Sequence, residues 1–267
     1  MHRFLHGILA RIKNTILCII LIAYILFIIL FMLDMLINSK QHINIEEYAK
    51  NIDYGILSSE QIETFDAILN AVEHEELTIS CPTYLYKERY EILTQLGLYL
   101  GTTEKLESLI FWNNDNNITL NLDMLKELLN QKIIIDARVD EAVSTLVEGS
   151  DWYKLWQISN YISEKITYTD GYRDTITALN GKGVCNSYSM LFYKMATRVG
   201  IKTYICYGYT DSGYHSWNMV ELNGESLYFD ITWYDNIVHN IRYVFRKSSW
   251  GRDFQINNKW SIDLGKR

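Results

Sequence analysis

The 267-residue sequence contains little proline and little glycine. Proline occurs once, at Pro82, and glycine occurs 14 times. Interdomain linkers are usually rich in glycine, serine or proline, so the scarcity of both residues argues against a long linker. A chain of this length can form one medium domain or two small ones with a buried core.

The sequence also lacks an excess of positive charge. Its formal net charge is −7 at pH 7, and no segment combines clustered basic residues with interleaved aromatic ones. Proteins that bind nucleic acids usually present a basic patch to the phosphate backbone. We therefore predict no nucleic-acid partner.

The few cysteines are widely spaced. They are Cys18, Cys81, Cys185 and Cys206, and the absence of any C-x-x-C pair gives poor support to a zinc site or a dense disulfide framework. We predict no metal and no cofactor. Cys81 and Cys206 are interpreted as buried free thiols, with a disulfide between them as the alternative if the domain lies outside the cell.

A long apolar run stands near the start of the chain. Residues Ile16 to Leu33 carry no charge, and Arg3, Arg11 and Lys13 precede them. A helix of about 20 apolar residues spans a membrane, and flanking basic residues mark the cytoplasmic side. We predict a single-pass membrane protein with a basic cytoplasmic tail over 1–13, an anchor helix over 14–37 and an extracytoplasmic remainder.

A cleaved signal peptide is the main alternative for this run. Its apolar region should be shorter and should end in a small-residue cleavage site. The sequence FMLDMLINS at the end of the run lacks that pattern, which favours an uncleaved anchor. A buried core helix is less compatible because no polar face interrupts the run.

Residues 41–149 are predicted to form a mostly helical accessory region. Ser58 and Gln61 match a capping box at a helix start, and Ile62, Phe65 and Leu69 follow at helical spacing. Two interpretations stay open for this region. It packs on or shields a catalytic part, or it is a spacer.

Composition and periodicity divide the accessory region further. Helices are predicted over Lys87–Leu100 and Leu122–Leu129, with a loop over Asn113–Asn117. We find no repeat and no chemical motif here.

The informative segment is 150–267, which begins with a predicted helix over Asp151–Ile166. After Cys185, apolar residues recur at helical spacing from Tyr188 to Val199, and Gly200 follows where a helix often ends. Cys185 should therefore begin a buried helix, whose positive end favours a thiolate. A thiolate is the nucleophile for acyl transfer. The alternative is a small buried residue near a helix start.

A β-hairpin is predicted after this helix. Strand-like runs over Ser216–Leu222 and Glu225–Ile231 flank Asn223-Gly224, the strongest short hairpin signal. A further strand is predicted over Thr203–Gly208. A two-residue turn sets Leu222 opposite Glu225 and fixes the register of the whole hairpin.

This register brings an acid beside an imidazole. It sets Trp217 opposite Asp230 and puts His215 diagonal to Asp230 on the same face, within reach of a hydrogen bond. An aspartate so placed would hold the ring's orientation and stabilise the imidazolium. Alternatively, the histidine is structural and the aspartate caps a turn.

These motifs together resemble a known family. G-V-C, then a helix, then H-S-W-N and Y-F-D-I-T-W resemble the transglutaminase-like superfamily, in its microbial branch, over Ser150–Asn236. The resemblance implies an α+β fold with a papain-like core, in which the cysteine helix packs on an antiparallel sheet that carries the histidine and the aspartate. It implies Cys185 as nucleophile, His215 as general base and then acid, and Asp230 as the residue that orients His215. The Cys185 amide would contribute to an oxyanion hole.

Two further positions bear on the resemblance. Ser187 stands where the microbial branch commonly has glycine, and because the residue is still small we expect the helix packing to survive. Tyr168 matches an aromatic residue upstream of the cysteine in many members.

The leading functional hypothesis is a membrane-anchored cysteine enzyme with a Cys-His-Asp triad. It would act as a peptidase, amidase or transglutaminase on a peptide or protein, with the cell envelope as one source of substrate. A binding or scaffold module that lost the chemistry is the first alternative, because fold does not determine function. A zinc hydrolase with the three triad residues as ligands is the second.

Overall fold

The structure is a computed structural model that describes residues 57–113, 116–236, 239–250, 252 and 254–256. All of these belong to one compact unit. The predicted tail (1–13) and anchor helix (14–37) lie outside the described residues. Among those that are described, no helix is both long enough and apolar enough to cross a membrane.

Helices and strands are interspersed along this part of the chain. The helices are α1 (Ser59–Glu73), α2 (Arg89–Leu100), α3 (Leu122–Ser144), α4 (Asp151–Lys165), α5 (Thr175–Leu179), α6 (Cys185–Arg198) and α7 (Ile231–Asn236). The strands are β1 (Thr78–Ser80), β2 (Ile110–Trp112), β3 (Asn117–Leu120), β4 (Thr167–Tyr168), β5 (Lys182–Gly183), β6 (Thr203–Thr210), β7 (Gly213–Leu222), β8 (Glu225–Phe229) and β9 (Phe254–Ile256). Short 3-10 turns occupy Thr83–Glu88, Leu106–Ser108 and Ile241–Tyr243.

The accessory region is mainly helical, and its first helix begins as predicted. The Ser58 hydroxyl accepts a hydrogen bond from the Gln61 amide at 3.3 Å, and the Gln61 side chain accepts one from the Ser58 amide at 2.8 Å. This capping box satisfies amides that the first turn leaves unpaired. Phe65, Ile68 and Leu69 form the buried face of α1.

Two helix boundaries in this region were predicted wrongly. Helix α3 continues to Ser144, far past the predicted end at Leu129, because buried apolar residues such as Ile135 and Val139 recur along its whole length. The helix predicted from Lys87 starts as a 3-10 turn and becomes α-helical only at Arg89.

A small antiparallel sheet in the accessory region was not predicted. Its strand order is β1-β3-β2, with Ile118 of β3 opposite Ile79 on one side and Trp112 on the other. The strands are only three or four residues long, too short for alternation to be recognised in the sequence. Asn117, predicted as loop, begins β3.

The site rests on a four-stranded antiparallel sheet with the order β8-β7-β6-β9. The predicted hairpin register is confirmed, since Leu222 pairs with Glu225. Asn223 and Gly224 both have positive φ, at 52° and 79°, as a type I′ turn requires.

Strand β8 ends two residues earlier than predicted. Its last residue is Phe229, and Ile231 already begins α7. Asp230 lies between them, where its Oδ1 accepts a hydrogen bond from the Trp233 amide at 3.1 Å. The carboxylate therefore caps α7 and stops the strand.

Helix α6 packs on one face of this sheet. Buried residues of α6, including Leu191 and Phe192, share a core with Val220 and Phe229 from the sheet. Alternate residues of β7 point the other way, so Trp217 joins a second buried cluster on the opposite face. Both faces of the central strand are thus covered, which fixes it firmly.

Candidate active site

The structure joins the predicted histidine and aspartate. His215 Nε2 lies 2.9 Å from Asp230 Oδ2. His215 comes from near the start of β7, and Asp230 comes from the junction of β8 and α7, where it is 0% exposed. The hairpin register thus produces the contact that the sequence predicted.

Cys185 completes the cluster as the first residue of α6. Interactions with His215 and with Ser216 lower the pKa of its thiol. Because Nε2 of the imidazole binds Asp230, Nδ1 is the ring nitrogen left for the sulfur. Cys185 is partly exposed, as an attacking group must be.

The electrostatics of this pair favour charge separation. Burial raises the pKa of Cys185, but the hydrogen bond and charge of His215, together with Ser216, outweigh burial and leave this pKa below its ordinary value. Burial lowers the pKa of His215, yet Asp230 and Cys185 raise it to about 9. Both shifts favour the charged pair, a thiolate facing an imidazolium, over the neutral one.

The other two described cysteines are different in kind. Cys81 and Cys206 are buried and free, as predicted. Burial raises the pKa of both thiols. They therefore stay protonated and unreactive at a pH where Cys185 is ionised.

The motif H-S-W-N carries more of the site than its histidine. Ser216 lines the same cleft as Cys185 and lowers the pKa of its thiol. The Asn218 amide group donates to the backbone oxygens of Ser189 in α6 at 3.0 Å and Tyr204 in β6 at 3.2 Å. Asn218 therefore ties the cysteine helix to the sheet. Sequence reasoning noted the motif but not these two contacts.

Asn186 is a further site residue that sequence reasoning missed. Its amide nitrogen donates to Thr103 Oγ1 at 2.8 Å and to the Arg173 backbone oxygen at 2.5 Å. Its amide oxygen accepts from the Tyr207 hydroxyl at 3.1 Å. The residue beside Cys185 thus connects the accessory region, the loop before α5 and strand β6. No pattern in the sequence indicates it.

The sulfur opens into a cleft of about 270 Å³. Segment 150–267 contributes Arg173, Val184, Cys185, Asn186, Tyr207, Tyr214, His215 and Ser216. The accessory region contributes Thr94, Leu98, Thr103 and Leu106. The accessory region therefore forms one wall of the cleft.

Arg252 is the least expected residue of the site. Its Nη1 donates to Asp230 Oδ2 at 2.8 Å, the same oxygen that His215 contacts. Pairing of β9 with β6 brings this C-terminal segment to the site. A lone arginine far along the chain from Asp230 gave no sequence signal.

The two positions noted beside the resemblance are also accounted for. Ser187 is fully buried, and its hydroxyl donates to the Tyr172 backbone oxygen at 2.8 Å. Tyr168 is half-exposed, and its ring lies 6.4 Å from that of Tyr188. Burial and the charge of the Cys185 thiolate raise the pKa of Tyr168.

In the described part of the chain, no three His, Cys, Asp or Glu residues are grouped so as to hold a metal ion. The Asp230 carboxylate is instead turned toward an imidazole and a guanidinium.

Comparison with known proteins finds a family match in part of the chain. Residues 141–235 match the family model of the transglutaminase-like superfamily. The matched stretch contains all three predicted site residues. No curated protein matches the chain.

Three solved structures resemble the chain at low identity. A proposed cysteine protease from Cytophaga hutchinsonii is 19% identical, with a TM-score of 0.32, and the match covers 38% of each chain. A TGase is 15% identical, with a TM-score of 0.34, over 46% of this chain and 43% of that one. A proposed protease from Parabacteroides distasonis is 15% identical, with a TM-score of 0.30, over 45% of this chain and 30% of that one. The matches span less than half of each protein, and likenesses this low carry no argument about function.

Proposed function

We propose that this protein is a cysteine enzyme that transfers acyl groups from peptide or protein amides, with Cys185, His215 and Asp230 as its triad. The observation that carries the proposal is the arrangement of these three residues. Cys185, at the start of α6, lines the same cleft as His215, and each shifts the pKa of the other. His215 Nε2 lies 2.9 Å from the buried Asp230 carboxylate. Transglutaminase-like domains commonly use this chemistry.

The first half-reaction forms a thioester. The Cys185 thiolate attacks the carbonyl carbon of the amide, and the carbonyl oxygen becomes an oxyanion. Because Cys185 begins α6, the positive end of this helix lies beside the reacting carbonyl and would stabilise the negative charge, with the Cys185 amide as one donor. The His215 imidazolium donates its proton to the leaving nitrogen, the C–N bond breaks, and the acyl group stays on sulfur.

The second half-reaction releases the acyl group. Neutral His215 takes a proton from water, and the hydroxide oxygen bonds to the acyl carbon as the C–S bond breaks. The thiolate and the imidazolium are thereby restored. We propose hydrolysis as the main reaction because water is always available as the acceptor. An amine acceptor would instead give a crosslink.

The lining of the cleft supports a peptide substrate. Leu98, Leu106 and Val184 offer an apolar surface, while Asn186 and Ser216 add polar groups near the sulfur. Mostly apolar clefts with a few placed polar groups are typical ligand sites. An extended peptide with an apolar side chain next to the reacting carbonyl fits this lining.

We also propose that the enzyme is held at a membrane. The support is the uncharged run Ile16–Leu33 and the basic residues before it. The domain would then act outside the cytoplasm, on proteins or peptides of the cell envelope.

Alkylation with iodoacetamide at mildly acidic pH tests the triad. We expect Cys185 to react at least about 100-fold faster than Cys81 and Cys206, because only Cys185 is ionised there. Peptide mapping of the labelled sites by mass spectrometry measures each rate, and His215→Ala should abolish the difference. Equal, slow labelling of all three thiols would instead favour a binding module without the chemistry.

The reaction type needs a second experiment. Envelope peptides from cells with the wild-type protein are compared with those from cells with Cys185→Ala. New peptide termini that depend on Cys185 support hydrolysis, and isopeptide links support crosslinking. Cys185-dependent conversion of glutamine to glutamate would indicate deamidation. Identical peptides in both cells would overturn an activity on envelope proteins.

A further inference from the structure

A buried arginine stands behind the triad. The Arg252 side chain is 6% exposed, and its Nη1 lies 2.8 Å from Asp230 Oδ2. His215 Nε2 lies 2.9 Å from the same oxygen. One carboxylate oxygen is therefore shared by two cationic groups, and Asp230 Oδ1 is held by the Trp233 amide at 3.1 Å.

Three tryptophan rings surround the guanidinium. The guanidinium carbon lies 4.2 Å from the ring centre of Trp233, 4.6 Å from that of Trp250 and 4.8 Å from that of Trp217. Indole faces attract cations and compensate part of the cost of burying one. This matters because Arg252 Nη2 is buried without a hydrogen-bond partner among the described residues.

Two of these three rings also contact the histidine. The His215 ring centre lies 5.5 Å from Trp233 and 6.0 Å from Trp217. Trp250 is fixed in turn by its Nε1, which donates to the Arg242 backbone oxygen at 3.0 Å. Imidazole, carboxylate and guanidinium thus form one packed unit that cannot move independently.

We propose that Arg252 is a positioning residue of the triad, which pairs with the buried Asp230 carboxylate and fixes it beneath His215. Arg252 lies outside the segment that matches the superfamily. With Arg252, the active form carries alternating charges, namely thiolate, imidazolium, carboxylate and guanidinium, and the buried cluster is neutral. Without it the cluster would hold one uncompensated negative charge, which is costly in an apolar setting.

The sign of the effect on the triad follows from charge alone. Removing a nearby positive charge makes proton binding more favourable at every coupled group. Among the described residues, Tyr168, Tyr207 and Tyr214 also interact with Cys185, and burial raises the pKa of all three, which favours their neutral form. The pH profile of Cys185 reactivity has two limbs, one where the thiolate forms and one where the His215 imidazolium loses its proton. Both limbs should therefore move to higher pH when Arg252 loses its charge.

The experiment measures the rate of Cys185 alkylation by iodoacetamide from pH 4 to pH 10 in the full-length protein. In Arg252→Gln we expect both limbs to rise by about one pH unit, while Arg252→Lys, which keeps the charge, stays within about 0.3 units of wild type. A purely structural role would lower the melting temperature without moving either limb. Unmoved limbs in a folded Arg252→Gln variant would overturn the inference.

A second variant guards against loss of the fold. Trp250→Leu removes one ring from the guanidinium and admits water, so both limbs should rise by less than in Arg252→Gln. If Arg252→Gln does not fold, unmoved limbs in Trp250→Leu would count against the inference instead. The inference rests on the proposed function, but the two fail differently. An ordinary thiol profile in the wild-type protein defeats the function, whereas a low-pH profile that ignores Arg252 defeats only this inference.

Discussion

At the scale of single residues, the site depends on which charges are paired. Asp230 has no exposed surface, and its oxygens receive hydrogen bonds from His215, Arg252 and the Trp233 amide. Three donors thus hold the carboxylate in one orientation. Burial lowers the pKa of His215, but the hydrogen bond and the charge of Asp230, together with those of Cys185, raise it.

Asp230→Asn tests this arrangement with almost no change in shape. The imidazolium loses its negative neighbour and still faces Arg252, so the pKa of His215 should fall from its value of about 9. Both limbs of the alkylation profile should move to lower pH, opposite to the shift expected for Arg252→Gln. Acyl transfer should drop on the order of 10²-fold or more, because the ring loses its orientation.

The stability of the same variant provides an independent check. Arg252 would be left as a buried, unpaired cation, so the free energy of unfolding should fall by roughly 3 kcal/mol. Urea denaturation measures it, with Asp211→Asn in the exposed β6–β7 turn as a control that should change little. A rise of the basic limb above pH 9 would contradict the role given to Asp230.

At the scale of elements, the start of α6 depends on a tight fit between β5 and the first turn. A Cβ atom added at Gly183 would lie 2.3 Å from Ser187 Cβ and 2.7 Å from its Oγ. Ser187 is itself fixed, because its hydroxyl donates to the Tyr172 backbone oxygen at 2.8 Å. The chain therefore has room for a side chain at one of these two positions, and it carries it at Ser187.

Gly183→Ala should lower the free energy of unfolding by about 1–3 kcal/mol, as overpacking a tight contact does. Adding Ser187→Gly to this variant should recover part of the loss, although Ser187→Gly alone costs about 1 kcal/mol through the helix glycine and the lost hydrogen bond. A double-mutant cycle by urea denaturation measures the coupling. Strictly additive losses would show that the two side chains do not compete for this space.

Local signals explain which elements could be predicted. Asn223-Gly224 fixes the hairpin register because both residues readily adopt positive φ, and the register led directly to the His215–Asp230 contact. Ser58 and Gln61 marked the start of α1 because their side chains can accept hydrogen bonds from each other's amides. The end of β8 was missed because Asp230 caps α7 instead of continuing the strand. The alternation of apolar and polar residues does not reveal such a cap.

At the scale of the whole molecule, sequence reasoning reached its limit where distant segments meet. Nothing local indicates that β9 pairs with β6 and carries Arg252 behind Asp230. Nor does any pattern show that α2 lies along the cleft. Such contacts depend on packing between elements far apart in the chain, whereas the predicted triad depends on one helix start and one hairpin.

The contribution of the accessory region to the cleft can be tested at Thr94. This residue of α2 is half-buried and lines the cleft beside Leu98, so Thr94→Phe should fill space that a bound peptide needs. We expect alkylation of Cys185 by a tripeptidyl chloromethyl ketone with apolar side chains to slow at least about 10-fold, which corresponds to roughly 1.4 kcal/mol. The small reagent iodoacetamide should react within about twofold of wild type, because the pKa of the thiol does not depend on this wall.

A matched control places phenylalanine at Glu127, an exposed position on α3 that does not line the cleft. Glu127→Phe should leave both rates unchanged. Slowing of both reagents in Thr94→Phe would point to a disturbed triad rather than a narrowed cleft, and no slowing of either would mean that substrates do not run along α2. Slowing of the peptide reagent alone would establish that the accessory region and the segment that matches the superfamily share one substrate site. Only a side chain that projects into the path of the peptide would slow the peptide reagent and spare iodoacetamide.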